Sequence, residues 1–88
     1  MEGSRKDVVE KFFADYKIQI LPTTVDFYRR LGLLADCIVK EPQGKFAPRT
    51  KTVYDVEKTV LRLKRIMELR EKRFYLEEIK EIIRHEIE

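Results

Sequence analysis

The sequence predicts one mainly α-helical domain carrying a small β-hairpin, and three observations predict it. Apolar residues recur at helical spacing in four segments, residues 4–17, 22–31, 55–72 and 75–88. Between the second and third, "ADCIVKEPQGKFAPRTKTVY" is β-branched toward both ends and holds Pro42, Gly44 and Pro48 in its middle. The length of 88 residues and an apolar share of 43%, spread along the whole chain, suit one modest core. A chain of this size buries only about 60 to 65% of the surface that its unfolded form exposes, so a second domain is not expected.

Ser4 ahead of "RKDVVEKFFADY" reads as a helix cap, with Asp7 completing a capping box. Val9, Phe12, Phe13 and Tyr16 then define one apolar face. Pro22 drives its predecessor out of helical geometry and suits a first helical turn, so a second helix starts there. Gly32 ends it in the left-handed conformation, and Leu33 folds back on Phe27 or Tyr28 as a Schellman ending requires. Residues 35–54 form a two-stranded ribbon, which Pro42 and Pro48 confine to an edge or a free-standing hairpin. Asp55 opens a third helix with its stripe at Val56, Val60, Leu63, Ile66 and Met67. "EKRF" interrupts, and a fourth helix carries Leu76, Ile79, Ile82, Ile83 and Ile87.

The net charge of +3 announces no nucleic-acid partner, but its distribution is uneven. Residues 1–44 balance seven Lys and Arg against seven Asp and Glu, residues 45–65 carry seven against two, and residues 66–88 five against seven. Cys37 has no second cysteine to pair with, and a reducing, cytoplasmic setting is expected. The charged start "MEGSRKDVVE" lacks the apolar stretch of a signal peptide, and no apolar run has the length of a membrane span, so no membrane partner is expected.

Two helices, a tight turn and a basic hairpin describe a winged helix-turn-helix. In that layout a short helix enters the DNA major groove while the hairpin, or wing, reaches phosphates beside it. "TTVDFYRRLGLL" resembles the second-helix signature of the MerR family of bacterial transcription regulators: Thr, an aliphatic, Arg, two aromatics, Glu, two variable residues and Gly-Leu-Leu. "LKRIMELREKRFYLEEIKEII" is similar to that family's third and fourth helices, and the likeness extends over residues 22–83. The resemblance implies a domain that binds operator double-stranded DNA as a transcription regulator, usually as a dimer on a two-fold site. Several positions depart from it. Asp26 stands at the family's Arg, Arg29 at its Glu and Arg73 at the Gly between the last helices, and Gly44, Lys45, Phe46 and Tyr54 loosely represent the wing motif. Asp26 is expected either to pair with Arg29 one turn along or to cap helix amides with Thr23.

The resemblance places Thr23 and Thr24 where the recognition helix meets the groove and Tyr28 at the phosphate-contacting tyrosine, with Arg29 and Arg30 on that outward side. Lys45, Arg49 and Lys51 are the wing's candidates for phosphate contact, expected to govern affinity and salt dependence more than sequence choice. Val25, Phe27, Leu31 and Leu33 are expected to face the core, with Tyr28 only partly buried.

No catalytic residue is assigned. Cys37 reads as a small buried hydrophobe, His85 as a solvated residue and "YLEEIKE" as a charged helix face. No cofactor, metal or small-molecule ligand is assigned either, because the family's effector-sensing region has no counterpart in this chain. Assembly is open between a homodimer through Ile82, Ile83 and Ile87 and a partner regulator. The rival function is a small helical adaptor on the same fold without DNA binding, for which Asp26 and the balanced charge of residues 1–44 argue.

Overall fold

A computed structural model describes residues 1–40 and 52–87. In chain order the elements are β1 (Glu2–Gly3), α1 (Arg5–Tyr16), α2 (Pro22–Arg30), a 3-10 turn (Ala35–Cys37), β2 (Ile38–Lys40), β3 (Val53–Asp55), α3 (Val56–Glu71) and α4 (Leu76–Ile87). The molecule is mainly helical, with a small antiparallel sheet in the order β1-β3-β2.

The helix ends follow the local chemistry read from the sequence. Ser4 closes a capping box: the Asp7 amide donates to Ser4 Oγ at 3.4 Å and the Ser4 amide to Asp7 Oδ2 at 2.8 Å. Pro22 occupies the first turn of α2. At the other end of α2 the Leu33 amide donates to the Tyr28 carbonyl at 3.1 Å and the Gly32 amide to Arg29 at 3.0 Å. With Gly32 at a φ of +82°, this is a full Schellman motif. Asp55 caps α3 by accepting from the Lys58 amide at 3.2 Å.

A second Schellman motif ends α3, with the Arg73 amide donating to Arg70 at 2.9 Å and the Phe74 amide to Leu69 at 3.2 Å. Here the left-handed residue is Arg73, at a φ of +67°. A Cβ in that region costs about 1 to 2 kcal/mol. Arg73→Gly is therefore expected to stabilise the fold by about 1 kcal/mol after the extra freedom of the unfolded chain is offset. Urea unfolding should show a higher midpoint at unchanged slope, and a lowered midpoint would contradict this account.

The core runs from Val8, Val9 and Phe12 of α1 through Val25 and Tyr28 of α2 to Val56, Val60, Leu63, Ile66 and Leu69 of α3, closed by Ile79 and Ile83 of α4. Four expectations need correction. Phe13 is half-exposed, and Val8 takes its place one turn before Phe12; the Phe13 ring lies under the Lys17 ammonium, 5.9 Å from its centroid. In α2 the aromatics exchange roles: Phe27 is 45% exposed and Tyr28 3%. At about 100° per residue, Tyr28 stands within about 60° of Val25, whereas Phe27 is about 160° away. Only Tyr28 can share the core face with Val25. The α4 stripe is also narrower than expected, since Ile83 is buried in its own core and only Ile87, at 51%, is openly exposed. A dimer contact through Ile83 is therefore unavailable.

The fourth correction concerns the sheet. A third strand, β1, pairs with β3 in the register Glu2 to Asp55 and Gly3 to Tyr54, so β3 is central rather than one half of a two-stranded ribbon. The Met1 carbonyl accepts from the Val56 amide at 2.8 Å, tying the chain's start to the first turn of α3. Gly3 fits because a Cβ there would stand 2.6 Å from Asp7 Oδ2, inside the capping box. Cys37 lies in the 3-10 turn rather than in a strand, and β2 begins at Ile38.

Candidate nucleic-acid interface

The inner side of α2 is fixed first, and this decides what the outer side presents. Val25 and Tyr28 are buried, and the Tyr28 hydroxyl accepts from Arg70 Nη1 of α3 at 2.8 Å. Asp26 is held on the flank. Arg5 of α1 donates to its Oδ2, and its Oδ1 lies 3.9 Å from Arg29 Nε. The side chain of Asp26 is only 18% exposed, so its charge is balanced by two arginines and does not face outward as a bare acid. It caps nothing: α2 has no side-chain cap at its start.

The exposed residues of α2 are then Thr23, Phe27 and Arg30, at i, i+4 and i+7, with Thr24 half-buried beside them. Arg30 has no ion-pair partner among the described residues. Arg29 is half-buried and leans toward Asp26. The structure thus brings Thr23, Thr24 and Arg30 together on one short helix and removes Tyr28 from that face. Lys45, Arg49 and Lys51 lie outside the described residues; the strands that bracket their segment, β2 and β3, pair antiparallel.

The basic run at 45–65 divides into two parts. Its helical part is committed to structure. Arg62 donates through Nη1 and Nη2 to the two oxygens of Asp36, at 2.7 Å each, and Nη1 also reaches the Leu33 carbonyl at 2.9 Å. Lys58 lies 3.4 Å from Asp36, Arg65 donates to Glu86 at 2.7 Å, and Lys64 covers the Tyr16 ring at 5.2 Å. The Arg62 hydrogen bonds hold the Asp36 carboxyl below the usual carboxylate range, against the opposing effect of burial. Arg65 does the same to Glu86. On α2 this leaves Arg30 as the exposed cation without an ion pair among the described residues.

A shallow cleft of about 270 Å³ lies between α4 and the α2–β2 connection, lined by Asp36, Lys58, Arg62, Ile83, Glu86 and Ile87. Both of its carboxylates accept from arginines, so neither is placed to move a proton. Burial pushes the Cys37 thiol up, away from thiolate character. No group of three or more potential metal-ligating side chains gathers among the described residues, and no helix there is long and apolar enough to cross a membrane. Sequence reasoning missed two residues of the outward face and its flank, Phe27 and Arg5. The first was visible in the two-residue spacing from Val25; the second, distant in sequence, left no signal.

No protein-family model, curated protein or solved structure matches this chain.

Proposed function

We propose that this chain is a sequence-specific double-stranded DNA-binding domain of winged helix-turn-helix layout that regulates transcription and has no catalytic role. In this reading α1 and α2 form the helix-turn-helix, and β2, β3 and the basic segment between them form the wing. The observation that carries it is the outward face of α2, where two hydroxyls and an arginine stand on a short helix whose only acid is already balanced. Hydroxyls contact base edges or phosphates and arginine contacts guanine or phosphate, the pieces that a groove-reading helix uses. The MerR resemblance over residues 22–83 supports the same assignment.

The test is fluorescence anisotropy with a pool of duplex DNA across a salt series. Four phosphate contacts, by Arg30, Lys45, Arg49 and Lys51, imply a log–log salt slope of roughly −3.6, or about a 150-fold loss from 50 to 200 mM. Charge reversal at Arg49 and Lys51 should flatten that slope. Absence of saturable binding at low salt would sink the proposal, and binding of a protein partner indifferent to the reversal would establish the adaptor reading instead.

Asp26 gives a second check. Asp26→Asn removes the anion that Arg5 donates to and is expected to cost about 1 kcal/mol of stability, as for a partly exposed ion pair. DNA affinity should rise severalfold at low salt, with a slope steeper by up to about 0.9 where Arg5 reaches a phosphate. Weaker binding by the folded variant would show that Asp26 serves the interface directly.

A further inference from the structure

Phe27 is exposed between Thr23 and Arg30 on the outward face of α2. A single exposed apolar side chain is ordinary on a protein surface; what distinguishes Phe27 is its place. It stands one turn beyond Thr23 and three residues before Arg30, in the middle of the face offered to DNA. Its ring is propped rather than loose, tilted 58° against the buried Tyr28 ring with centroids 5.5 Å apart. Tyr28 is in turn fixed by Arg70.

A phenyl ring has no donor or acceptor, so it cannot read the hydrogen-bonding edges of bases. In the major groove the one feature open to an apolar side chain is the C5-methyl group of thymine. We propose that Phe27 is a specificity-determining residue that selects thymine over cytosine by packing on this methyl group, with the methyl of Thr23 contributing a second apolar contact. The inference rests on the DNA-binding reading. Thr23 and Phe27 are about 6 Å apart along the helix axis, and for a helix lying along the groove they address positions about two base steps apart.

The experiment uses the intact chain and a duplex that it selects from random DNA. Each thymine of the selected site is replaced in turn by deoxyuridine, which removes the methyl and keeps the pairing edge. Wild-type protein should lose affinity about fourfold per contacted methyl at one or two positions, at unchanged salt slope. Cytosine at such a position should bind more weakly, and 5-methylcytosine should recover part of the loss. Phe27→Ala should bind thymine and deoxyuridine duplexes equally at the position that Phe27 reads. Indifference of the wild type to every deoxyuridine overturns the inference while leaving DNA binding intact, and this comparison needs no variant. A loss in Phe27→Ala that is equal on both duplexes, with the wild-type thymine preference retained, also overturns it. Failure to bind any duplex overturns both this inference and the reading beneath it.

Discussion

Arg62→Ala is expected to destabilise the protein by roughly 2 to 3 kcal/mol, as for loss of hydrogen bonds to a charged, largely buried group. The side chain is 12% exposed and that of Asp36 25%, so neither partner is freely solvated. One guanidinium serves three acceptors on the connection leaving α2: both Asp36 oxygens and the Leu33 carbonyl. Truncation leaves Asp36 with Lys58 at 3.4 Å as its remaining cation and takes the donor from Leu33. For a domain of this size the loss corresponds to a fall of about 10 to 20 °C in Tm. Because the lost contacts follow the Schellman ending of α2, that helix should also become less protected in hydrogen exchange than α3. A Tm within about 2 °C of wild type would show that the clamp adds little.

The same clamp sets the sign of an acid response. The Asp36 carboxyl titrates below its ordinary value of 3.8 in the folded state, chiefly because Arg62 donates to its ionised form. The unfolded chain therefore takes up the proton first as pH falls. The clamp's contribution is complete above the ordinary value and is lost as pH drops through the depressed folded one. Glu86, lowered by Arg65, responds in the same direction but is exposed, so its share is small. Subtracting the stability profile of Arg62→Met from that of wild type isolates Asp36. The difference should be flat from neutral pH to about 5 and shrink below about 4. A difference that instead grew with acidification would refute the clamp.

Much of this architecture was legible because it is local. Ser4 with Asp7, Pro22, Gly32 with Leu33, and Asp55 each act within a turn or two of the chain, and each acts as its residue type predicts. The aromatic exchange in α2 was legible too, through a stricter use of helical spacing: Val25 and Phe27, two residues apart, cannot share a face. Other features have no local cause. The two residues of β1 carry no period, and they form a strand because β3 offers them an unpaired edge. Arg5 finds Asp26 across 21 positions and Arg62 finds Asp36 across 26, pairings that only the packing of α1, α2 and α3 creates. The basic run shows the functional consequence. The charge count treats residues 45–65 as one basic run, yet Lys58, Arg62 and Arg65 pair with acids of the chain itself, and Lys45, Arg49 and Lys51 lie outside the described residues.

Tyr28 separates a role implied by likeness from a role required by geometry. The resemblance makes it a phosphate contact, whereas here it is 3% exposed and its hydroxyl accepts from Arg70 at 2.8 Å. Tyr28→Ala should cost about 3 to 5 kcal/mol, as for truncation of a buried aromatic, and is expected to unfold much of the population under conditions where wild type is stable. Tyr28→Phe keeps the ring and removes only the acceptor. Because Arg70 is an exposed residue that water can resolvate, that change should cost about 1 kcal/mol. It should leave the DNA affinity and salt slope of the folded protein unchanged. A phosphate-contacting hydroxyl would behave oppositely, with stability held and binding weakened severalfold. The two measurements on one variant therefore decide whether the hydroxyl serves the interface or the fold. If it serves the fold, the ring of Tyr28 is the platform beneath Phe27, and the base preference of α2 depends on a residue that never touches DNA.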